Sequence, residues 1–117
     1  MNRFLAAGAG LFLVVGTVAV ARAETETVTG EIVDTFCYSA MGAKGASHRQ
    51  CAIDCAKKGI PLALLENGTN KIYVLLPNKD KTALPDEVTK KIAEQVSITG
   101  NVHATGESNF LTVESIK

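Results

Sequence analysis

The spacing of hydrophobic positions changes several times along this chain, and each change marks an element. Leu5–Val20 is an almost unbroken run of apolar and small residues, interrupted only by Thr17. Thr25–Phe36 is rich in Thr, Val and Ile and alternates in part, which predicts a strand. Gly30 in its middle predicts a bulge or a strong bend. The polar, Gly-bearing stretch Ser39–Ser47 predicts a loop. Ser47 with Gln50 has the spacing of a capping box and opens a helix that runs through Cys51 and Cys55. Lys57 and Lys58 suit its last turn, Gly59 its C′ position, and Pro61 bars continuation.

Beyond Pro61, Leu62–Leu65 and Lys71–Leu76 are short apolar runs flanking Asn67-Gly68, a strong hairpin signal. Pro77–Lys81 is polar loop. Pro85, the acidic pair Asp86-Glu87 and the i, i+4 pair Val88/Ile92 predict a helix ending near Gln95, with Glu87 and Lys91 correctly oriented for an ion pair. Val96–His103 and Phe110–Ile116 alternate again and predict two strands joined by the turn Ala104–Asn109. His103 falls on the polar, solvent-facing phase of its strand.

The order is β-(α)-β-β-α-β-β. A helix between the third and fourth of five antiparallel strands is the order of the OB-fold, a small Greek-key barrel. The predicted class is therefore all-β with helical insertions, a five-stranded OB-fold-like barrel. The closing segment Val96-Ser-Ile-Thr-Gly-Asn-Val-His, followed by Leu-Thr-Val-Glu-Ser-Ile-Lys, resembles the end of small exported bacterial OB-like proteins. With no internal repeat and no separating linker, residues 24–117 are expected to form one domain. It would carry a Cys/His helical insert at about 37–60.

The N-terminal run has its own meaning. Arg3 precedes it, and Ala21-Arg22-Ala23 follows as a small-x-small site. These features predict a Sec-type signal peptide over 1–23, cleaved after Ala23. The apolar run is short for a membrane span. The expected location is periplasmic or secreted, with no membrane association after cleavage. Loss of Arg3 and Arg22 turns a chain of zero formal charge slightly acidic. That balance, with no Trp and few aromatics, argues against nucleic acid as a partner.

All three cysteines lie after the predicted cleavage site. An odd count in an oxidising compartment leaves one thiol outside any intrachain disulfide. On a helical wheel His48, Cys51 and Cys55 fall within roughly 60° of one another. Cys37 lies across a Gly-bearing loop that can fold back over this stripe. Cys37, His48, Cys51 and Cys55 make a Cys3His set, suited to zinc or, through soft sulfur, copper(I); an iron–sulfur cluster also fits thiolate donors. Met41 is available as an additional soft ligand, and Asp34 and Asp54 as outer acceptors for an imidazole N–H. The Cys-x3-Cys with a neighbouring His resembles the thiolate-and-imidazole sets of copper-delivery proteins and of the dinuclear copper site of respiratory oxidases.

Two readings stay open at this level. The first is a metal-binding protein for capture, delivery or a structural zinc, meeting a protein or metal-delivery partner as a monomer or small homo-oligomer. The second is a non-enzymatic interaction module in which Cys37 is disulfide-bonded to Cys51 or Cys55. No hydrolase, transferase or thioredoxin-type motif is present, so no catalytic residue is assigned.

Overall fold

The computed structural model describes residues 10–17 and 24–117. Most of the expected leader, and its cleavage site after Ala23, lie outside the described residues. Gly10–Thr17 are irregular, and Leu11–Val15 are exposed.

Five strands make a closed barrel: β1 (Glu24–Asp34), β2 (Leu62–Glu66), β3 (Ile72–Pro77), β4 (Gln95–Thr105) and β5 (Ser108–Ile116). Around the barrel the order is β1-β2-β3-β5-β4. Closure comes from the antiparallel pair β1–β4 and from the parallel pair β3–β5, in which Val74 lies opposite Phe110. Three helices interrupt the strands: α1 (Thr35–Met41), α2 (Arg49–Lys57) and α3 (Asp86–Lys90). A 3₁₀ turn, Ala46–His48, leads into α2. The expected small all-β barrel with helical insertions is the fold that forms.

β1 is shared by both halves of the barrel. Glu24–Glu31 pair with β4, and Gly30–Asp34 pair with β2, so Gly30 and Glu31 have a partner on each side. Gly30 marks this junction by close approach rather than by a bulge. A Cβ there would lie 1.9 Å from the carbonyl oxygen of Leu65. The register shift of the barrel sits instead between Thr99 and Gly100, where a Cβ on Gly100 would meet the carbonyl of Thr112 at 1.7 Å.

The strand period sorts side chains into two layers. Val28 and Ile32 of β1 join Leu64, Tyr73, Leu75, Val96, Ile98, Leu111 and Val113 in the main core. Val33, Ala63 and Leu65 form a second, smaller core on the other side of β1 and β2, covered by Tyr38 of α1 and by Ile72. β2 is buried on both faces for this reason, which explains its unbroken apolar sequence. From α2, Ala52, Ile53 and Ala56 pack against the main core beside Val88 and Ile92. The Arg49 guanidinium donates to the carbonyls of Lys90 and Ile92, tying α2 to the end of α3.

Several boundaries differ from those expected. Residues 35–41 are helix, not strand end and loop, because Asp34 caps them. α3 stops at Lys90 instead of near Gln95. The chain beyond it bridges to β1: Ile92 pairs with Ile32, and Ala93, at φ 65°, donates its N–H to the Ile32 carbonyl. The β4–β5 turn tightens to Gly106-Glu107, since both strands extend further than their alternation suggests.

The close approach at Gly30 has a measurable consequence. Gly30→Ala is expected to destabilise the barrel by about 3 kcal/mol, through backbone displacement of the β1–β2 ladder. A Leu64→Ala truncation is expected to cost ~2–5 kcal/mol by cavity formation. Urea unfolding of both variants checks this; a Gly30→Ala midpoint equal to wild type would refute it.

Candidate metal centre

The centre starts from the phase of β1. Asp34 ends that strand in step with Val28 and Ile32, and it is fully buried. A buried carboxylate needs partners to offset its lost hydration. Asp34 has them on two different elements. Its Oδ1 accepts from the backbone N–H of Cys37 at 2.7 Å, which makes it the N-cap of α1. Its Oδ2 accepts from His48 Nε2 at 3.1 Å. An ionised carboxylate only accepts, so Nε2 carries the proton in this pair. Burial pushes the Asp34 pKa up, but the Cys37 amide and His48 outweigh it, and the net direction is down.

α1 ends in a left-handed residue. Gly42, at φ 67°, donates to the Tyr38 carbonyl at 2.8 Å, and Ala43 donates to that of Cys37 at 3.2 Å. The chain then turns back. Glu31 Oε2 accepts from the Gly45 N–H at 2.9 Å and anchors the returning loop to β1. The 3₁₀ turn begins there, so Ser47 lies inside it and the capping box with Gln50 does not form. Gln50 donates instead to Asp54 at 3.0 Å.

Cys37 and Cys55 place their sulfurs 3.9 Å apart. Cys51 joins them, all three sulfurs lying within 4.8 Å of one another. Ligands at about 2.3 Å on a tetrahedral or trigonal ion sit roughly 3.8–4.0 Å apart, so the Cys37–Cys55 separation suits a shared ion. Burial is graded: Cys37 is buried, Cys55 half-buried and Cys51 exposed. The cysteines are free. Burial first, then the hydrogen bond to Asp34 and the contact with Cys55, pushes the Cys37 thiol up to about 12. Burial also raises Cys55, against the lowering effect of its hydrogen bond with Cys37. A bound cation supplies the opposite charge that these sulfurs need to become thiolates.

The four expected ligands, together with Asp34, fall into two sets that share Cys37. One is Cys37, Cys51 and Cys55; the other is Asp34, Cys37 and His48. His48 ends the 3₁₀ turn, and its Nε2 bonds Asp34 Oδ2, which groups it with Asp34 and Cys37. Asp34, expected as an outer acceptor, stands within ligand range itself. Asp54 is exposed and takes the Gln50 amide rather than an imidazole. Met41 ends α1 with 66% of its surface exposed. His103 is half-buried, its Nε2 3.4 Å from the Thr112 hydroxyl. The role of Glu31 has no sequence signature short of the fold. The role of Asp34 has one, Asp-x-x-Cys ahead of a Gly-terminated segment.

No known protein family, curated protein or solved structure matches the chain.

The geometry around Asp34 predicts a pH-dependent contribution to stability. Its folded pKa is depressed, so its stabilisation is complete above the ordinary carboxylate pKa of about 3.9 and is lost as pH falls through the lower folded value. Asp34→Ala is expected to cost roughly 1–2 kcal/mol at pH 7 through the lost cap. The gap to wild type should narrow on acidification toward pH 3. Thermal melts across that range check it, and a gap that widens on acidification refutes it.

Proposed function

We propose that this protein binds a soft metal ion, zinc or copper(I), through the cysteine cluster between α1 and α2. The observation that carries the reading is the convergence of Cys37, Cys51 and Cys55, whose sulfurs lie within 4.8 Å of one another. Thiolates at that spacing select zinc or copper(I) over hard cations. His48 and Asp34 adjoin the set through Cys37. The graded burial supports capture or delivery: Cys51 is open to an incoming donor, while Cys37 lies at the protected end. Binding rather than turnover is the proposed role, since no motif for another chemistry accompanies the cluster. The N-terminal apolar run and the Ala21-Arg22-Ala23 site support a periplasmic or secreted setting, where a metal-delivery protein would be the natural partner.

The 3.9 Å approach of Cys37 to Cys55 also supports a second reading, a disulfide between these two that staples the insert and leaves Cys51 as the free thiol. The two readings separate cleanly. The metal reading expects at least one zinc or copper per chain in protein isolated from the cell, three titratable thiols once the metal is removed, and a lowered metal content in Cys51→Ser. It further expects alkylation of Cys51 first, then Cys55, then Cys37, with bound metal slowing the first step. Mass spectrometry of the alkylated peptides reads the order. Absence of metal with a single free thiol per chain would establish the staple instead.

A further inference from the structure

The two ligand sets around Cys37 differ in chemistry. One is all sulfur. The other offers a carboxylate oxygen, a thiol sulfur and an imidazole nitrogen from Asp34, Cys37 and His48, again within 4.8 Å of one another. The first set comes from α1 and α2, and the second from the end of β1, α1 and the 3₁₀ turn, so that α1 serves both.

We propose that Asp34, Cys37 and His48 form a second metal position, for a zinc-class divalent cation, bridged to the three-cysteine position by the Cys37 sulfur. This rests on the metal-binding reading above and adds a second ion to it. Two points carry it. First, His48 Nε2 and Asp34 Oδ2 stand 3.1 Å apart. Two ligands at about 2.0 Å on a tetrahedral ion are separated by roughly 3.3 Å. A cation can therefore take the place of the proton between them with little movement. Second, oxygen, nitrogen and sulfur together make a borderline donor set, which suits zinc and its divalent analogues better than copper(I). A thiolate sulfur has the lone pairs to bridge two such ions.

The groove lined by Ile53, Ala56 and Ile92 with Arg49, Lys57 and Lys90 is apolar and rimmed by cations. Its Arg49 is already engaged by the α3 carbonyls. The row of Thr25, Thr27 and Thr29 is likewise satisfied across β1–β4 by Asn101, Thr99 and Ser97. Neither presents free chemistry comparable to the shared sulfur.

The test is titration of the purified, fully reduced chain with ¹¹³Cd, followed by native mass spectrometry and cadmium NMR. The expected result is two ions per chain and two resonances. The sulfur-rich position resonates further downfield, and the pair shows scalar coupling through Cys37. His48→Gln and Asp34→Asn should each lower the count to one and keep the downfield signal. Cys51→Ser should weaken that signal and keep the other. One ion in the wild type, unchanged in His48→Gln, overturns the second position and leaves the cysteine-cluster reading intact. Two uncoupled resonances overturn the shared sulfur. No bound ion overturns both readings. The wild-type spectrum decides the matter even if a variant fails to fold.

Discussion

A single buried carboxylate organises the insert. Asp34 has no access to water, so its charge must be met by the protein. Meeting it requires the first turn of α1 on one oxygen and His48 on the other. The helix that carries Cys37 and the turn that leads to Cys51 and Cys55 are thereby held against the same point. Removing either partner would leave a charge stranded at the end of a core strand. Among the described residues no buried side-chain nitrogen or oxygen lacks a partner, so this polar site is fully satisfied despite its depth.

The barrel contributes rigidity and one polar group, Asp34, at the end of β1. β1 is clamped by β4 along its first part and by β2 along its last, and the backbones at Gly30 come too close for any side chain. Asp34 leaves this clamped strand at a defined height and direction. On the other face, Tyr38 lies over Val33 and Leu65 and fixes the roll of α1. α2 is set independently by Ala52 in the core and by the Arg49 bonds to the end of α3. Two helices fixed by separate means thus present their cysteines to each other.

The strands were legible because alternation and turn residues report directly on a half-buried ladder. So was the end of α2, where Gly59 takes a φ of 93° as its C′ position requires. Other features were hidden by competition between signals. Thr35 and Phe36 favour extended structure and prolong the strand pattern, yet one capping bond from Asp34 turns them into helix. Ser47 and Gln50 have capping-box spacing, but Gly45 starts a 3₁₀ turn first and consumes Ser47. The wheel that aligned His48 with Cys51 and Cys55 assumed a continuous α-helix. The 3₁₀ turn breaks that assumption, and the buried Asp34 offers the imidazole a partner off the stripe. The early end of α3 depends on a contact with Ile32 far away in sequence, which no local pattern contains.

The placement of the insert between β1 and β2 also bears on the order in which the molecule assembles. Cys37 and Cys55 are separated by 18 positions, whereas the β1–β4 seam joins residues as far as 78 apart, Glu24 and Val102. Closing the longer loop costs about 1 kcal/mol more in chain entropy, and contacts so distant form slowly. The sulfur-bearing hairpin is thus the near-neighbour part of the topology, and the barrel seam is the remote part. Contacts within the segment that carries the cysteines can therefore form while the β1–β4 seam is still open, and closing that seam is the late step of assembly.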